Sequence, residues 1–293
     1  MNGRTTSSCL ALACLALAGS ADAGPAPDKL APSATGVTTL RCGTLIDGRS
    51  ATPRRDVAIR IEDGRIVSVG EFTPGAAGPM NGAVIDRSQD TCLPGLIDAH
   101  AHVLIKTDDY QVDHLRRSSG YKALRGLNVV QEMLRSGWTT VRILGDADVA
   151  YAHLDVRTAI QEGLFIGPRL TGAGHYFSIT GGGGDLNFLG PEHQVVADGL
   201  VVDGVDAVRK AVREEIKHGS DWIKVLASGA MMSAGNDPNR AHFSPEELAA
   251  IVDEATRLGV PARPTRILRR GARGRSSRAR APSSPAPSWA TRA

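Results

Sequence analysis

Apolar and polar positions change rhythm twice along this chain. From Val37 to about Val84 the apolar residues come in short alternating runs separated by turn residues. Thr38–Cys42, Val57–Ile61 and Ile66–Val69 are rich in β-formers, and this spacing predicts half-buried strands. Asp63-Gly64, between the last two, is a hairpin signal. From Leu96 the period lengthens. Leu124 to Leu134 has helical spacing with Gly137 as its stop, and Thr139–Leu144 then reads as a buried strand. Asp203 is placed to cap a helix through Val205, Val208, Val212 and Ile216, ending at Gly219, with Trp222–Leu226 the next strand. Ser244-Pro245-Glu246-Glu247 is a capping box with proline at the first helical position, and the helix it opens runs to Leu258 and stops at Gly259.

Alternating strands and helices imply a parallel sheet covered by helices. The predicted class is α/β: a partial (β/α)8, TIM-like barrel of about four βα units over 96–260, preceded by a small β-sandwich segment over 37–95. It is partial because a full barrel takes about 250 residues, and Leu96 to Val260 spans 165. Residues 24–36, rich in Pro, Ala and Ser, read as a linker. Residues 1–23 read as a secretory signal peptide, with Arg4 in the n-region, Leu10–Ala18 as the apolar segment and cleavage after Ala23. A periplasmic or secreted location follows as an expectation. A lipoprotein attachment at Cys14 fits less well, because Ala11 stands where leucine is usual. No later segment is long and apolar enough to span a bilayer.

Composition refines this picture in three places. The net charge of +3 hides an asymmetry. Residues 262–293 hold nine arginines and no acid, so the rest carries 25 basic against 31 acidic side chains, a net of −6. Aromatic residues are only 4%, which argues against a stacking platform for nucleic acid, and no nucleic-acid partner is expected. A homo-oligomer is compatible with the sequence. Cys42 and Cys92 remain after signal cleavage and read as small buried residues, with a disulfide as the alternative.

The densest chemistry lies at Leu93-Pro94-Gly95-Leu96-Ile97-Asp98-Ala99-His100-Ala101-His102. Residues i and i+2 of a strand face the same way, so His100 and His102 can converge on one divalent metal. A bare His-x-His is more often a pair of ordinary histidines. The Pro-Gly-Leu-Ile-Asp before it shifts that balance, because the whole string resembles the first barrel strand of the amidohydrolase superfamily of metal-dependent hydrolases. Gly137–Arg142, Gly167-Pro168-Arg169 with Thr180-Gly181-Gly182, and Asp221–Val225 resemble the same family. The likeness is nearest to its secreted Xaa-Pro dipeptidase and imidazolonepropionase-like members.

The resemblance implies a binuclear centre, with Zn2+ the expected metal, that hydrolyses C–N bonds in dipeptide-like small molecules. His100 and His102 match two of its ligands. Lys224, which alone would read as a salt-bridged or snorkelling side chain, matches the family's carboxylated bridging lysine. Two further histidines and a proton-shuttling aspartate of the family find no match. His153, His175, His193, His218 and His242 fall elsewhere and read as loop or surface residues. Thr180, Gly181, Gly182 and Gly183 match a substrate loop in which relatives often carry histidine at the position of Gly183; the loop reads as flexible, and no Lys-Ser/Thr follows it to make a P-loop.

After Val260 apolar periodicity vanishes, and 261–293 reads as an aberrant, disordered Arg/Pro/Ser-rich tail. Shifted by one base, Ala262–Ile267 can be reread as Ala-Ala-His-Ala-Tyr, similar to the family's next metal-binding strand. Pro282–Pro287 rereads as Val-Glu-Pro-Gly-Thr, although Pro285 cannot yield the histidine due there. The expectation is a frameshifted, inactive fragment. The alternative is a non-catalytic secreted protein that binds metal, or polyanions through its tail. Sequencing the gene is expected to show a one-base slip near codon 262, and an uninterrupted frame there removes the idea.

Overall fold

Asp63 and Gly64 both adopt positive φ, 47° and 73°, the conformation a tight primed hairpin turn requires. The turn folds β2 (Arg54–Glu62) antiparallel onto β3 (Arg65–Glu71). β1 (Val37–Leu45) pairs antiparallel with β2 and parallel with β4 (Ala83–Cys92), giving the order β3-β2-β1-β4. The protein is seen here as a computed structural model, which describes residues 36–75, 82–105 and 109–265. The signal peptide expected over 1–23 lies outside the described residues, as do the linker 24–36 save Gly36 and the tail from 266 onward.

Residues 37–95, expected as a β-sandwich segment, form one four-stranded sheet among the described residues. Cys42, Leu45, Val57 and Ile59 form its small core, while Ile66, Val67, Val69, Val84 and Ile85 stay exposed. Alternation marks a two-faced strand but does not say what covers each face. Cys42 and Cys92 form a disulfide, correcting their reading as separate buried residues. The parallel β1–β4 pairing sets Leu45 opposite Cys92, and a bulge lies between Cys42 and Thr44. The two Cα atoms come within 5.9 Å, well inside bridging range. That proximity arises from a non-local pairing, invisible to spacing alone.

The chain leaves β4 through Leu93, Pro94 and Gly95 into a second sheet. Its strands β5 (Leu96–Ala101), β6 (Trp138–Leu144), β7 (Arg169–Ser178), β9 (Trp222–Leu226) and β10 (Ala262–Thr265) are all parallel and lie in chain order, with short β8 (Leu200–Val201) beside β7. Right-handed crossovers between strands added in one direction place the helices that connect them on one face. Sequential order is what a (β/α) barrel needs, but the sheet is not closed among the described residues.

Two apolar clusters seat the helices. Ala101, Val103, Val141, Ile143 and Leu170 pack beneath α2 (Ser119–Arg135) and α3 (Ala152–Gln161), with α1 (Tyr110–Arg116) leading into α2. Phe177, Ile223 and Val225 pack beneath α4 (Val205–Lys217) and α5 (Pro245–Arg257). The α5 capping box forms as read from sequence, with Ser244 and Glu247 bonded reciprocally. Asp203 does not cap α4: Gly204 holds that position, and the Asp203 carboxylate accepts from the Thr180 backbone and hydroxyl.

The boundary expected at Pro261 falls early. Ala262–Thr265 extends the sheet by pairing with Ile223–Leu226. Backbone pairing asks for no apolar periodicity, and Pro264 is tolerable because β10 is an edge among the described strands.

The disulfide closes a loop of 50 residues, which restricts the unfolded chain. Replacing both Cys42 and Cys92 by alanine is expected to lower stability by about 2–4 kcal/mol in urea unfolding. An unchanged midpoint would show that the crosslink contributes nothing.

Candidate metal centre

The C-terminal ends of β5, β6, β7 and β9 form one rim, and the sequence-marked residues gather there or just beneath it. Ala101 and Val103 point into the helical core, so His100 and His102 point to the opposite face. Their ring centroids lie 5.3 Å apart. Strand alternation is only part of the cause. The β5–β6 register slips between Asp98 and Ala101, where the His100 amide donates to the Asp98 side chain, and β5 ends at Ala101, before His102.

His102 is held from β6. One of its ring nitrogens, Nδ1, lies 2.6 Å from the Gly145 carbonyl oxygen. A carbonyl can only accept, so Nδ1 carries the proton and Nε2 keeps its lone pair. Gly145 has φ of 81°, and a Cβ there would approach the Tyr176 amide nitrogen to 2.8 Å, so the corner requires glycine. Burial, the leading cause, pushes His102 down to about 4, which leaves it neutral near pH 7.

Lys224 enters from β9 on the same face. Its register partner on β7 is Tyr176, whose ring is edge-on to His102 with centroids 6.4 Å apart. Lys224 is 3% exposed. Burial first, and the Arg142 charge second, bring its ammonium down to about 8. The Lys224 charge in turn helps depress both His100 and His102, behind burial in each case. Arg142 is anchored on this face through Nε donating to the Ala99 carbonyl, with its guanidinium over the Trp222 ring.

The donor set suits a divalent metal: two imidazoles near one another, one with its free lone pair defined by the opposite hydrogen bond, and an amine whose neutral form is accessible. No cluster of three or more His, Cys, Asp or Glu that could hold a metal occurs among the described residues. His100, His102 and Lys224, the three residues that match the family pattern, lie on one face of the sheet near the ends of β5 and β9.

Thr180, Gly181, Gly182 and Gly183, expected as a flexible substrate loop, each make hydrogen bonds. Thr180 is bonded to Asp203, the Gly181 amide to Asp185, and the Gly182 amide to the Ile179 carbonyl. The Ser233 hydroxyl donates to the Gly183 carbonyl at 2.6 Å. A Cβ on Gly183 would lie 2.5 Å from the Ala230 methyl, so in this chain the loop after β9 occupies the room a side chain at 183 would need. Gly181 also borders a cleft of about 450 Å³ with Asn236, Arg240 and His242, and none of His100, His102 or Lys224 lines it.

The five histidines expected at loop or surface positions divide. His193 and His218 are exposed, and His242 is a half-buried loop residue. His153 and His175 are buried, contrary to the loop or surface reading. His153 donates from Nε2 to the Ala173 carbonyl. His175 meets buried Glu215 at 2.7 Å, and the Tyr151 and Ser220 hydroxyls share that carboxylate. Both histidines tie the sheet to its helices. Sequence reading also missed Asp146, wholly buried, which accepts from the Val103 and Leu104 amides at 2.9 and 3.1 Å. Only its apolar surroundings at a strand end could have flagged it.

Comparisons with known proteins bear on the family and the fold. The model of the amidohydrolase family matches residues 91–263. Ochratoxinase from Aspergillus niger is 34% identical over 239 residues, 75% of this chain and 48% of that protein. The chain thus spans about half the length of the curated relatives it matches. A Xaa-Pro dipeptidase solved with methionine in its active site is similar at a TM-score of 0.69 and 29% identity, over 78% of this chain and 56% of that one. The crystal structure of A. niger ochratoxinase gives 0.65 and 32%, over 78% and 55%.

Burial also pushes His153 down to about 4. The unfolded chain protonates near pH 6.5, ahead of the folded one, so the stability tied to neutral His153 is lost as pH falls from 6.5 towards 4. Asp146, pushed up to about 7 chiefly by burial, acts in the opposite sense, so the parent's pH profile mixes the two. His153→Gln isolates one of them. Between pH 7 and pH 5 the parent is expected to lose about 1–2 kcal/mol more stability than this variant. Parallel profiles in urea unfolding would overturn the assignment.

Proposed function

Because this chain belongs to the amidohydrolase family, we propose that His100, His102 and Lys224 hold a divalent metal, zinc in the first instance, and that the reaction class is hydrolysis of an amide C–N bond in a dipeptide-like small molecule. The observation that carries this reading is the His102 hydrogen bond to Gly145, which leaves Nε2 free on the face shared with His100 and Lys224. A metal bound there would supply a Lewis acid that polarises the scissile carbonyl and activates water.

The chain's own residues prepare that site. Gly145 fixes the His102 tautomer and ring direction. The neutral Lys224 amine can add CO2, forming an N–C bond and releasing a proton, to become a carbamate with two donor oxygens. The Arg142 charge that favours the neutral amine would then favour the carbamate anion. The substrate class is supported by the dipeptidase and prolidase structures among the neighbours. The barrel is supported by the sequential parallel order of β5, β6, β7, β9 and β10. The periplasmic or secreted location is supported by the Cys42–Cys92 disulfide, which persists in oxidising compartments. A binuclear centre requires further ligands from beyond these three, so we propose that this chain does not turn over.

Zinc titration of residues 24–293 is expected to show binding that weakens at least about tenfold in His100→Ala and Lys224→Ala, with no dipeptide hydrolysis. Equal affinity in parent and variants would remove the site. Metal-dependent hydrolysis by the parent would overturn the proposed inactivity.

A further inference from the structure

β5 stops pairing at Ala101, yet the backbone amides of Val103 and Leu104 lie deep in the protein. A buried amide without an acceptor costs about 1–3 kcal/mol, so something must replace the lost sheet partner. The replacement comes from the residue after Gly145. Asp146 is fully buried, and its two carboxylate oxygens divide the work: Oδ2 accepts from the Val103 amide at 2.9 Å and Oδ1 from the Leu104 amide at 3.1 Å. The Asp146 backbone carbonyl accepts from the Asp148 amide at 2.8 Å, tightening the turn. No cation pairs with Asp146 among the described residues' salt bridges, so its contacts are with the backbone. Gly145 and Asp146 together therefore grip successive residues from His102 onward: the His102 ring through a carbonyl, and the Val103 and Leu104 amides, with Ile105 behind them, through a carboxylate.

This grip begins where strand geometry ceases to orient the chain. The register slip between Asp98 and Ala101 and the end of β5 leave the direction of His102 undetermined by pairing with β6. Neither Asp146 oxygen is bonded to an imidazole, and Asp146 touches neither metal nor substrate in the proposed chemistry.

We propose that Asp146 is a positioning residue, a side-chain clamp that substitutes for the missing β-ladder beyond Ala101 and so holds the His102 imidazole with Nδ1 on Gly145 and Nε2 facing His100 and Lys224. The inference rests on the metal-site reading for its functional meaning. Its structural content is independent of that reading.

Asp146→Asn is the near-isosteric test, since its NH2 must face one of the two amides and can accept from only one. Asp146→Ser keeps a single acceptor on a shorter arm and provides a second folded variant. In metal-free protein of residues 24–293, imidazole nitrogen shifts should show the Nδ1–H tautomer of His102 in the parent and a mixture in both variants. Amide exchange at Val103 and Leu104 should rise with it. In zinc titration both variants should bind about 10- to 100-fold more weakly than the parent. Asp221→Asn is the control: that carboxylate is bonded to Arg157, Thr171 and Gly172 at the far end of the sheet, and its loss should leave His102 unchanged.

Retention of the parent tautomer and parent amide protection in Asp146→Asn would overturn the proposal, as would zinc affinity within twofold of the parent. If the parent binds no zinc, the metal-site reading fails, and the tautomer and exchange measurements still decide the role of Asp146.

Discussion

Parallel pairing in chain order is the constraint on which the rest of this structure depends. Because β5, β6, β7 and β9 run the same way and follow one another across the sheet, their C-terminal ends share one rim. Each returning helix must then cross on the same side. One face of the sheet is sealed by the Val141, Ile143, Ile223 and Val225 contacts to those helices. The other face is free to carry Arg142, Trp222 and Lys224 beside His100 and His102. A sheet whose strand order reversed would have helices on both faces and no such shared polar face.

The legible parts of the fold are those written in local chemistry. Asp63-Gly64 and the Ser244–Glu247 capping box are short-range codes, and both form as read. Trp222–Leu226 appears with the bounds its apolar run suggests. Features set by distant partners were not legible. The Cys42–Cys92 disulfide depends on β1 lying parallel to β4. The diversion of Asp203 to Thr180 depends on the loop after β7 reaching the start of α4. β10 exists through its hydrogen bonds to β9, and its sequence has none of the periodicity that would announce a strand.

The candidate site divides along the same line. Resemblance to the family's motifs singled out His100, His102 and Lys224, and the structure brings them to one face. What spacing could not show is how each is tuned. The neutrality of His102 and the softened charge of Lys224 come from burial, a tertiary property. The reading of His153 and His175 as surface residues failed because a histidine's burial depends on its partner. The Ala173 carbonyl and the Glu215 carboxylate are supplied from elements remote in sequence.

The corner at Gly145 and Asp146 also has unequal exposure to genetic drift. Asp146 acts through its side chain, so one codon change can abolish its contacts. Gly145 acts through a main-chain carbonyl, an acceptor that every amino acid possesses. Mutation at 145 can displace that oxygen by crowding Tyr176, but it cannot delete it. The proton position on His102 is thus inherited through the path of the backbone, and drift reaches it through the side chains that hold that path, Asp146 above all.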